Sequence, residues 1–507
     1  VRKDADQLIT RLPVVLRAAV EVERSARDVW AFVRDMENYV RWFPGIMQMQ
    51  AVDSQPVATV GKRYAEIAIM PGGKEERINV TIVAADEEAM HLAIEASLAP
   101  VLPRFDYKVF QLESGRSRFE WVCRGRGTSA MAAVGRRVMP LILRPRLDRA
   151  LANFKRIQEA HAETCMQAAQ FFRFGEADAV MRVEPCALKP SPGKGEVLVQ
   201  QLASSINQID GHRRKGYGRN VMRARGALNF PVVLGEDVSG VVTAVGEGTS
   251  GFSVGDRVFG VKPPSSQGAF AAFVSVKSAN LVRMPTNLSA QNAAALPYAF
   301  VTAWCALVRD ARLRRSDRVF VQGGAGAVGS MAVQLAKARG CRVVASCLPG
   351  QASLAQSLGA DAVIEAGGAA FDSLRESFDV VLCAATSAEE QRLLSLLKVR
   401  AGARYVSVIH PTLQLTDEMG LLKGFTTAKA QLKALNAALK PKQQLARWTL
   451  FSPAPKAIAE MATLAASGAL KPIIDSAFPL DAIAQAMNCA ESGQATGKVI
   501  VTFPSML

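Results

Sequence analysis

Val319-Phe320-Val321-Gln322-Gly323-Gly324-Ala325-Gly326-Ala327-Val328-Gly329 reads as a buried strand, a glycine turn and the start of a helix. That order of elements is the geometry of a dinucleotide pyrophosphate site. Gly324 permits the tight turn, Gly326 lets backbone N–H groups approach phosphates, and Gly329 lets the new helix pack on the strand. Ala327 and Val328 open the helix, whose unpaired N–H groups and positive dipole end face the anion. Alone, G-x-G-x-x-G is a weak signal. Here the apolar strand before it and the amphipathic Ser330–Lys337 after it supply the required context.

The next strand, Cys341–Ser346, carries the cofactor preference. About 20 residues past the glycines an Asp or Glu would grip the 2′-hydroxyl of NAD and repel the 2′-phosphate of NADP. Ser346 and Cys347 stand there instead. An uncharged strand end tolerates the phosphate and Ser346 offers a hydroxyl, so the expected cofactor is NADPH.

At 507 residues the chain is long enough for about three domains, and an apolar fraction of 49% is ample for several cores. The longest uncharged stretch, Met284–Val308, contains Asn287, Gln291, Asn292 and two prolines, which suits a buried helix pair better than a membrane span. No signal peptide is evident at Val1-Arg2-Lys3-Asp4. The eight cysteines are scattered, with no C-x-x-C pair, and suit a reducing cytosol. The expected location is thus cytoplasmic, or peripheral at a membrane surface. Of the net charge of +16, residues 1–165 hold 25 basic against 21 acidic side chains, leaving 36 against 24 for the rest. This excess in the cofactor-binding part suits phosphorylated cofactors, acyl carriers or anionic lipid surfaces, and equally a solvated basic face. Dispersed basic residues without an aromatic-basic module argue against nucleic acid.

Residues 12–163 make a self-contained pattern. A strand over Leu16–Val22 precedes a helix capped by Ser25 that runs through Trp30 toward Trp42-Phe43-Pro44-Gly45. Alternating strands follow at Tyr64–Ile69, Arg77–Ala84, Met90–Ala96, Phe105–Leu112 and Arg118–Cys123, with turn signals at Pro71-Gly72-Gly73 and Glu113-Ser114-Gly115. A long helix from Ser129 to Ala162 closes the segment, with a bend expected at Pro140 or Pro145. This order resembles the helix-grip fold of the polyketide cyclase, START and coenzyme-Q-binding superfamily. The resemblance implies a sheet wrapped round the long helix and a cavity for a flat or hydrophobic ligand. Trp30, Trp42, Phe43 and Trp121 are candidates to line it, with ordinary core packing the alternative for each. No catalytic acid or base stands out in this half. A boundary follows near Cys165, and Met166 sits at a start position for an independent protein, as expected of a fusion of two units.

From Ala168 onward the chain resembles the zinc-independent quinone oxidoreductase branch of the medium-chain dehydrogenase/reductase family. The resemblance rests on Gly195–Val199, Asn207–Asp210, Leu234–Val242, Gly255–Val258, Leu296-Pro297-Tyr298, Thr302-Ala303-Trp304, the glycine turn and Leu358–Asp361. Gly216-Tyr217-Gly218, Ala446-Arg447-Trp448 and Thr496–Ile500 narrow it within that branch. It implies a multidomain α+β and α/β chain with three parts. These are a START-like domain at 1–164, a GroES-like substrate domain at 165–296 and 449–507, and a doubly wound Rossmann domain at 297–448, with the active site in the cleft between the last two.

Many relatives are zinc alcohol dehydrogenases, whose catalytic metal needs Cys and His ligands. Asn207 stands where they carry the first Cys, Glu236 replaces the His of their Gly-His-Glu motif, and the four-cysteine structural loop is missing. No metal is therefore expected. Without a Lewis acid the plausible acceptor is already electron-poor, a quinone or an α,β-unsaturated carbonyl. By the resemblance Asn207 and Thr302 flank the nicotinamide, and Tyr217 is the proton-donor or substrate-orienting candidate, although it comes one place earlier than in enoyl-thioester reductases. Gly324, Gly326, Ala327, Val328, Gly329, Ser346 and Lys498 are the cofactor-binding candidates, and His212, Tyr298 and Trp304 the substrate-binding ones. Arg213-Arg214-Lys215, with Arg219, Arg223 and Arg225, forms a basic loop that could hold a phosphorylated carrier or simply be solvated.

The leading expectation is an NADPH-dependent quinone or enone reductase whose N-terminal domain binds a related hydrophobic molecule and raises its effective concentration. One alternative is a natural-product tailoring fusion of cyclase and enoyl reductase. The other is a non-catalytic quinone or lipid carrier or sensor. A homodimer is implied by the resemblance alone.

Overall fold

The computed structural model describes all residues except 1–11, 71–74, 114, 160–163, 229, 266, 367, 375–376 and 505–507. The Val1–Asp4 segment, the Pro71-Gly72-Gly73 turn, Ser114 and the end of the expected long helix lie outside the described residues. The chain divides into two compact units, Val1–Cys165 and Met166–Leu507.

The first unit is one seven-stranded antiparallel sheet. Its strands are β1 (Val14–Val22), β2 (Ile46–Ala51), β3 (Arg63–Ile69), β4 (Glu75–Asp86), β5 (His91–Ala96), β6 (Pro103–Gln111) and β7 (Ser117–Gly125). Their order is β1-β7-β6-β5-β4-β3-β2, so only the first strand leaves its sequence neighbours, to pair with β7. Sequence alternation locates six of the seven. β2, Ile-Met-Gln-Met-Gln-Ala, is the one it misses, since Ile46 is its only β-branched or aromatic residue.

Helix α1 (Ala26–Val33) starts where the Ser25 hydroxyl accepts from Asp28 N, and α2 (Tyr39–Trp42) ends before β2. Helix α3 (Ala130–Gln158) is capped by the Ser129 hydroxyl, which accepts from Ala132 N, and it retains both prolines in its interior. Its C-terminal half buries Leu147, Ala150, Leu151 and Phe154 among Trp42 and Phe119. Phe119 and Phe154 stack with ring centroids 4.3 Å apart.

The second unit holds two large sheets. In the first, strands run in the order Leu281–Arg283, Arg257–Val261, Asp237–Val245, Glu196–Ile206, Lys498–Thr502 and Ile474–Pro479, with Phe273–Lys277 also paired to Glu196–Ile206. The C-terminal segment thus returns to complete a sheet begun before residue 290. The second sheet is wholly parallel: β8 (Arg318–Gln322), β9 (Arg342–Cys347), β10 (Ala362–Glu365), β11 (Val380–Cys383), β12 (Ala403–Ser407) and β13 (Gln444–Trp448). Its order, β10-β9-β8-β11-β12-β13, reverses direction between β8 and β11, which opens a crevice beyond their C-terminal ends. Val319, Phe320 and Val321 are buried on both faces, as a covered parallel strand requires. Among the described residues no helix is long and apolar enough to cross a membrane.

Cys165 and Cys186 are disulfide-bonded, whereas the other six cysteines are free.

Candidate active site

At the crevice, β8 gives way to Gly323 at φ +72° and then to helix α4 (Ala327–Ala338). Gly324 N donates to Ser346 O at 2.8 Å and Gly326 N to Gly323 O at 2.9 Å, which closes the turn. A Cβ on Gly324 would come 2.5 Å from Ala345 Cβ, and one on Gly329 would come 2.0 Å from Gly323 O. Those two glycines hold strand and helix together. Gly326 differs, because a Cβ there would meet only Gly323 O, at 3.2 Å. As N-cap of α4 it offers no side chain to the first N–H groups, at Ala327, Val328 and Gly329, which are left for an anion. The uncapped helix end and its glycine cradle fit the pyrophosphate of a dinucleotide. Gln322 braces the crevice, its Oε1 accepting from Ala385 N and Thr386 N in the loop after β11.

Ser346 is positioned differently from expectation. Its side chain is 1% exposed and accepts from Gly323 N at 3.4 Å, so the hydroxyl belongs to the turn instead of projecting toward a ribose. The strand end remains uncharged.

Three segments distant in sequence converge on Asp237. Its Oδ2 accepts from Ser205 Oγ at 2.5 Å and Asn207 Nδ2 at 2.8 Å, and its Oδ1 accepts from Tyr298 N at 2.7 Å. Lys498 Nζ lies 3.5 Å from Asp237 Oδ2 and donates to Asn207 Oδ1. Lys498, expected at the cofactor, thus spends its charge here. Helix α5, here Pro297–Trp304, brings Tyr298 and Thr302 onto one face, and Thr302 Oγ1 donates to Tyr298 O at 2.7 Å. The Tyr298 ring stacks on Phe451 at 4.5 Å. Trp304 lies roughly 200° further round the helix than Thr302. Its indole donates to Glu460 at 2.8 Å, away from this group.

Behind Asn207, Asp210 accepts from Asn207 N and Gly235 N. Glu236 pairs with Arg213 where both side chains are buried. Burial first, and the Asp210 carboxylate second, push Glu236 well above the usual carboxylate range, against the pull of Arg213. Among the described residues no group of His, Cys, Asp and Glu side chains could hold a metal ion.

Tyr217 is half-buried and His212 exposed, their rings edge to face at 5.7 Å. Burial, then the nearby Asp417, raises the Tyr217 pKa, which keeps its hydroxyl protonated. Asp417 also accepts from Gly218 N and Asn220 N, tying this loop to the Rossmann part. The basic loop is largely neutralised inside the protein. Arg213 is taken by Glu236, Arg214 by Glu491 at 2.5 Å, and Lys215 by Glu176 and Glu491 at 2.9 and 3.0 Å. Lys215, although paired, is exposed, as are Arg219, Arg223 and Arg225.

The first unit has its own cavity of about 320 Å³, walled by β3, β4, the segment 98–105, Trp121 and the N-terminal half of α3. Phe43 and Trp121 line it. Trp42 instead packs against Phe119 and Phe154, and Trp30 donates to Glu87, so these two belong to the core and its edge. Sequence reading missed Glu66, which enters this cavity from β3, and Ser205 and Asp237 in the second unit. Asp237 was visible only as part of the Leu234–Val242 motif.

Comparison with known proteins agrees with this architecture. Residues 13–159 match the polyketide cyclase/dehydrase and lipid transport family, 193–286 the alcohol dehydrogenase GroES-like domain, and 358–501 the zinc-binding dehydrogenase domain. The mitochondrial NAD(P)H oxidoreductase RTN4IP1 of Danio rerio is 32% identical over 358 residues, covering 68% of this chain and 92% of that protein. The Homo sapiens protein is 31% identical over 355 residues, covering 67% and 89%. A 2-methylene-furan-3-one reductase of Solanum lycopersicum is 31% identical, covering 66% and 79%. The quinone oxidoreductase of Coxiella burnetii shares the fold, with a TM-score of 0.56 at 24% identity over 66% of this chain and 99% of that one. Several of these relatives are mitochondrial proteins, which overturns the cytoplasmic placement expected from the cysteines. With the Rossmann crevice, the returning C-terminal strand and these matches together, the chain belongs to the medium-chain dehydrogenase/reductase family, a nicotinamide-dependent oxidoreductase related to the NAD(P)H oxidoreductases RTN4IP1 and preceded by a domain of the polyketide cyclase type.

Proposed function

We propose that the second unit reduces a quinone or an α,β-unsaturated ketone at the expense of NADPH, and that the first unit holds a hydrophobic ligand in its cavity. The observation that carries this reading is the closed network around Asp237. By family resemblance Asn207 and Glu236 stand where zinc-dependent relatives carry their ligands. Here the Asn207 amide is shared between Asp237 and Lys498, and Glu236 is paired with Arg213. Asn207 offers no thiolate or imidazole, and the Glu236 carboxylate, a zinc ligand by type, is taken by Arg213 with no Cys or His partner beside it among the described residues. Acceptors that suit such a site are conjugated carbonyls, which need no Lewis acid, only a donor to the oxygen as charge develops there.

Bound NADPH would supply the hydride. The chain's own part is to seat the pyrophosphate on the N–H groups of α4 and to leave room for the 2′-phosphate beyond the uncharged end of β9. Tyr217 keeps a protonated hydroxyl at the loop joined to Asp417, suited to donate to the reduced acceptor. The similarity to a 2-methylene-furan-3-one reductase, whose named substrate is a conjugated ketone, supports the enone form of this reading.

The test is NADPH oxidation by the full chain with a substituted benzoquinone, an enone, an enoyl thioester and a saturated ketone. Turnover is expected with the quinone or the enone, none with the saturated ketone, and less with NADH than with NADPH. Binding of NADPH without turnover on any acceptor would overturn the reading in favour of a carrier or sensor.

A further inference from the structure

Strand β3 sends Tyr64, Glu66 and Ala68 to the same face of the sheet, and Tyr64 and Ala68 are both core residues. Glu66, only 7% exposed, thus occupies a position where packing asks for an apolar side chain. It lines the cavity beside Tyr39, Phe43 and Trp121, and among the described residues its carboxyl has neither a hydrogen-bond nor an ion-pair partner. Buried polar groups are rarely left so, because each unmade bond forfeits solvation without return. A carboxyl aimed into an apolar cavity is therefore an unfilled half of an interaction.

The surroundings decide its charge. Tyr39 and Tyr107 face it from α2 and β6, and Glu66 helps to raise both of their pKa values. Glu76 of β4 and Arg146 of α3 line the same cavity. Burial alone sets the Glu66 pKa, at about 7, with no contribution from a cation. A site of this kind favours the neutral acid, whose free function is an O–H donor.

We propose that Glu66 is the recognition group of the N-terminal cavity, its carboxyl donating a hydrogen bond to the carbonyl oxygen of a flat, uncharged ketone or quinone. This rests on the reading of the cavity as a ligand site. The hydrocarbon walls accept the ring system, and the Glu66 carboxyl, which unlike the buried Tyr39, Tyr107 and Trp121 donors titrates near neutral pH, makes the selection of its oxygen depend on pH.

Retention by the full chain in equilibrium dialysis tests it with three probes: 2,3-dimethyl-1,4-naphthoquinone, 2,3-dimethylnaphthalene and 1-naphthol. The fraction of retention lost in Ala68→Phe, which plugs the cavity, defines this site. At pH 6 the quinone is expected to bind on the order of tenfold more tightly than the hydrocarbon, the worth of one good hydrogen bond. The preference falls at pH 8.5 and vanishes in Glu66→Leu. Glu66→Gln, which keeps an N–H donor, retains the preference and loses its pH dependence. Equal retention of quinone and hydrocarbon, or an unchanged preference in Glu66→Leu, would overturn the inference while leaving the cavity a ligand site. Tighter binding of 1-naphthol than of the quinone, strengthening toward pH 8.5, would make Glu66 an acceptor and overturn it too. No probe retained at the cavity would overturn both the inference and the reading beneath it.

Discussion

Lys498 and Asp237 form an ion pair of 3.5 Å with side chains only 3% and 1% exposed. The pair fastens the C-terminal strand to a strand laid down far earlier in the chain. Ser205, Asn207 and Tyr298 N complete the carboxylate's partners, so the charge at Asp237 is well satisfied.

Removing one member of a buried pair leaves the other uncompensated, at a cost of about 3–5 kcal/mol. Lys498→Met is expected at the lower end, because three donors to Asp237 remain. Chemical denaturation measures the loss, and the fraction still folded should bind NADPH with near-normal affinity. A fall in NADPH affinity beyond tenfold with unchanged stability would instead make Lys498 a cofactor ligand.

The glycines of the turn should separate into two kinds. Gly329→Ala places a Cβ 2.0 Å from Gly323 O and is expected to unfold or displace the start of α4. Gly326→Ala meets only one atom, at 3.2 Å, and should fold with an unchanged melting temperature in the absence of dinucleotide. Its methyl group stands where the phosphates would approach, so a loss of NADPH affinity on the order of tenfold is expected. Titration of NADPH fluorescence distinguishes the two.

Tyr217→Phe should lower kcat by about 10²–10⁴-fold, the usual worth of a positioned acid, and leave NADPH binding intact. Since burial and Asp417 raise the Tyr217 pKa, the wild-type rate should show no loss of this donor between pH 6 and 9. Unaltered turnover in the variant would transfer the proton donation to water or to another group.

Glu66 makes the first unit sensitive to pH. Its folded pKa of about 7 lies above the ordinary 4.5, so its contribution to stability is present below pH 4.5 and lost as pH rises through 7. The difference corresponds to roughly 3 kcal/mol. Glu66→Gln should therefore flatten the fall in the unit's melting temperature between pH 5 and 8. An identical pH profile in wild type and variant would mean that the carboxyl titrates normally.

Trp304→Phe should cost about 1 kcal/mol through the lost bond to Glu460 and leave the KM for the acceptor unchanged. A selective rise in KM would place the indole at the substrate.

Much of the fold was legible because its signals are local. Strand β8 and helix α4 are separated by glycines whose roles follow from backbone sterics, and the strands of the first unit alternate in polarity along their own length. β2 escaped because Met47, Gln48, Met49 and Gln50 carry little preference for a strand. Side-chain roles were less legible. Arg213-Arg214-Lys215 looks like an exposed basic loop until Glu236, Glu176 and Glu491 arrive from three other segments. Ser346 looks like a ribose contact until the turn closes and leaves its hydroxyl against Gly323 N.

The order of residues thus specifies the dinucleotide turn, the helix-grip pattern and the family, since each is written in periodicity, glycine placement and short motifs. Long-range packing decides where charge and hydrogen-bonding capacity are spent. Asp237 becomes a hub only when Ser205, Asn207, Tyr298 and Lys498 are folded around it. Glu66 becomes a buried donor only when the sheet and α3 enclose it. Solvation and pairing depend on neighbours that chain order does not place side by side, and they set the chemistry of both sites.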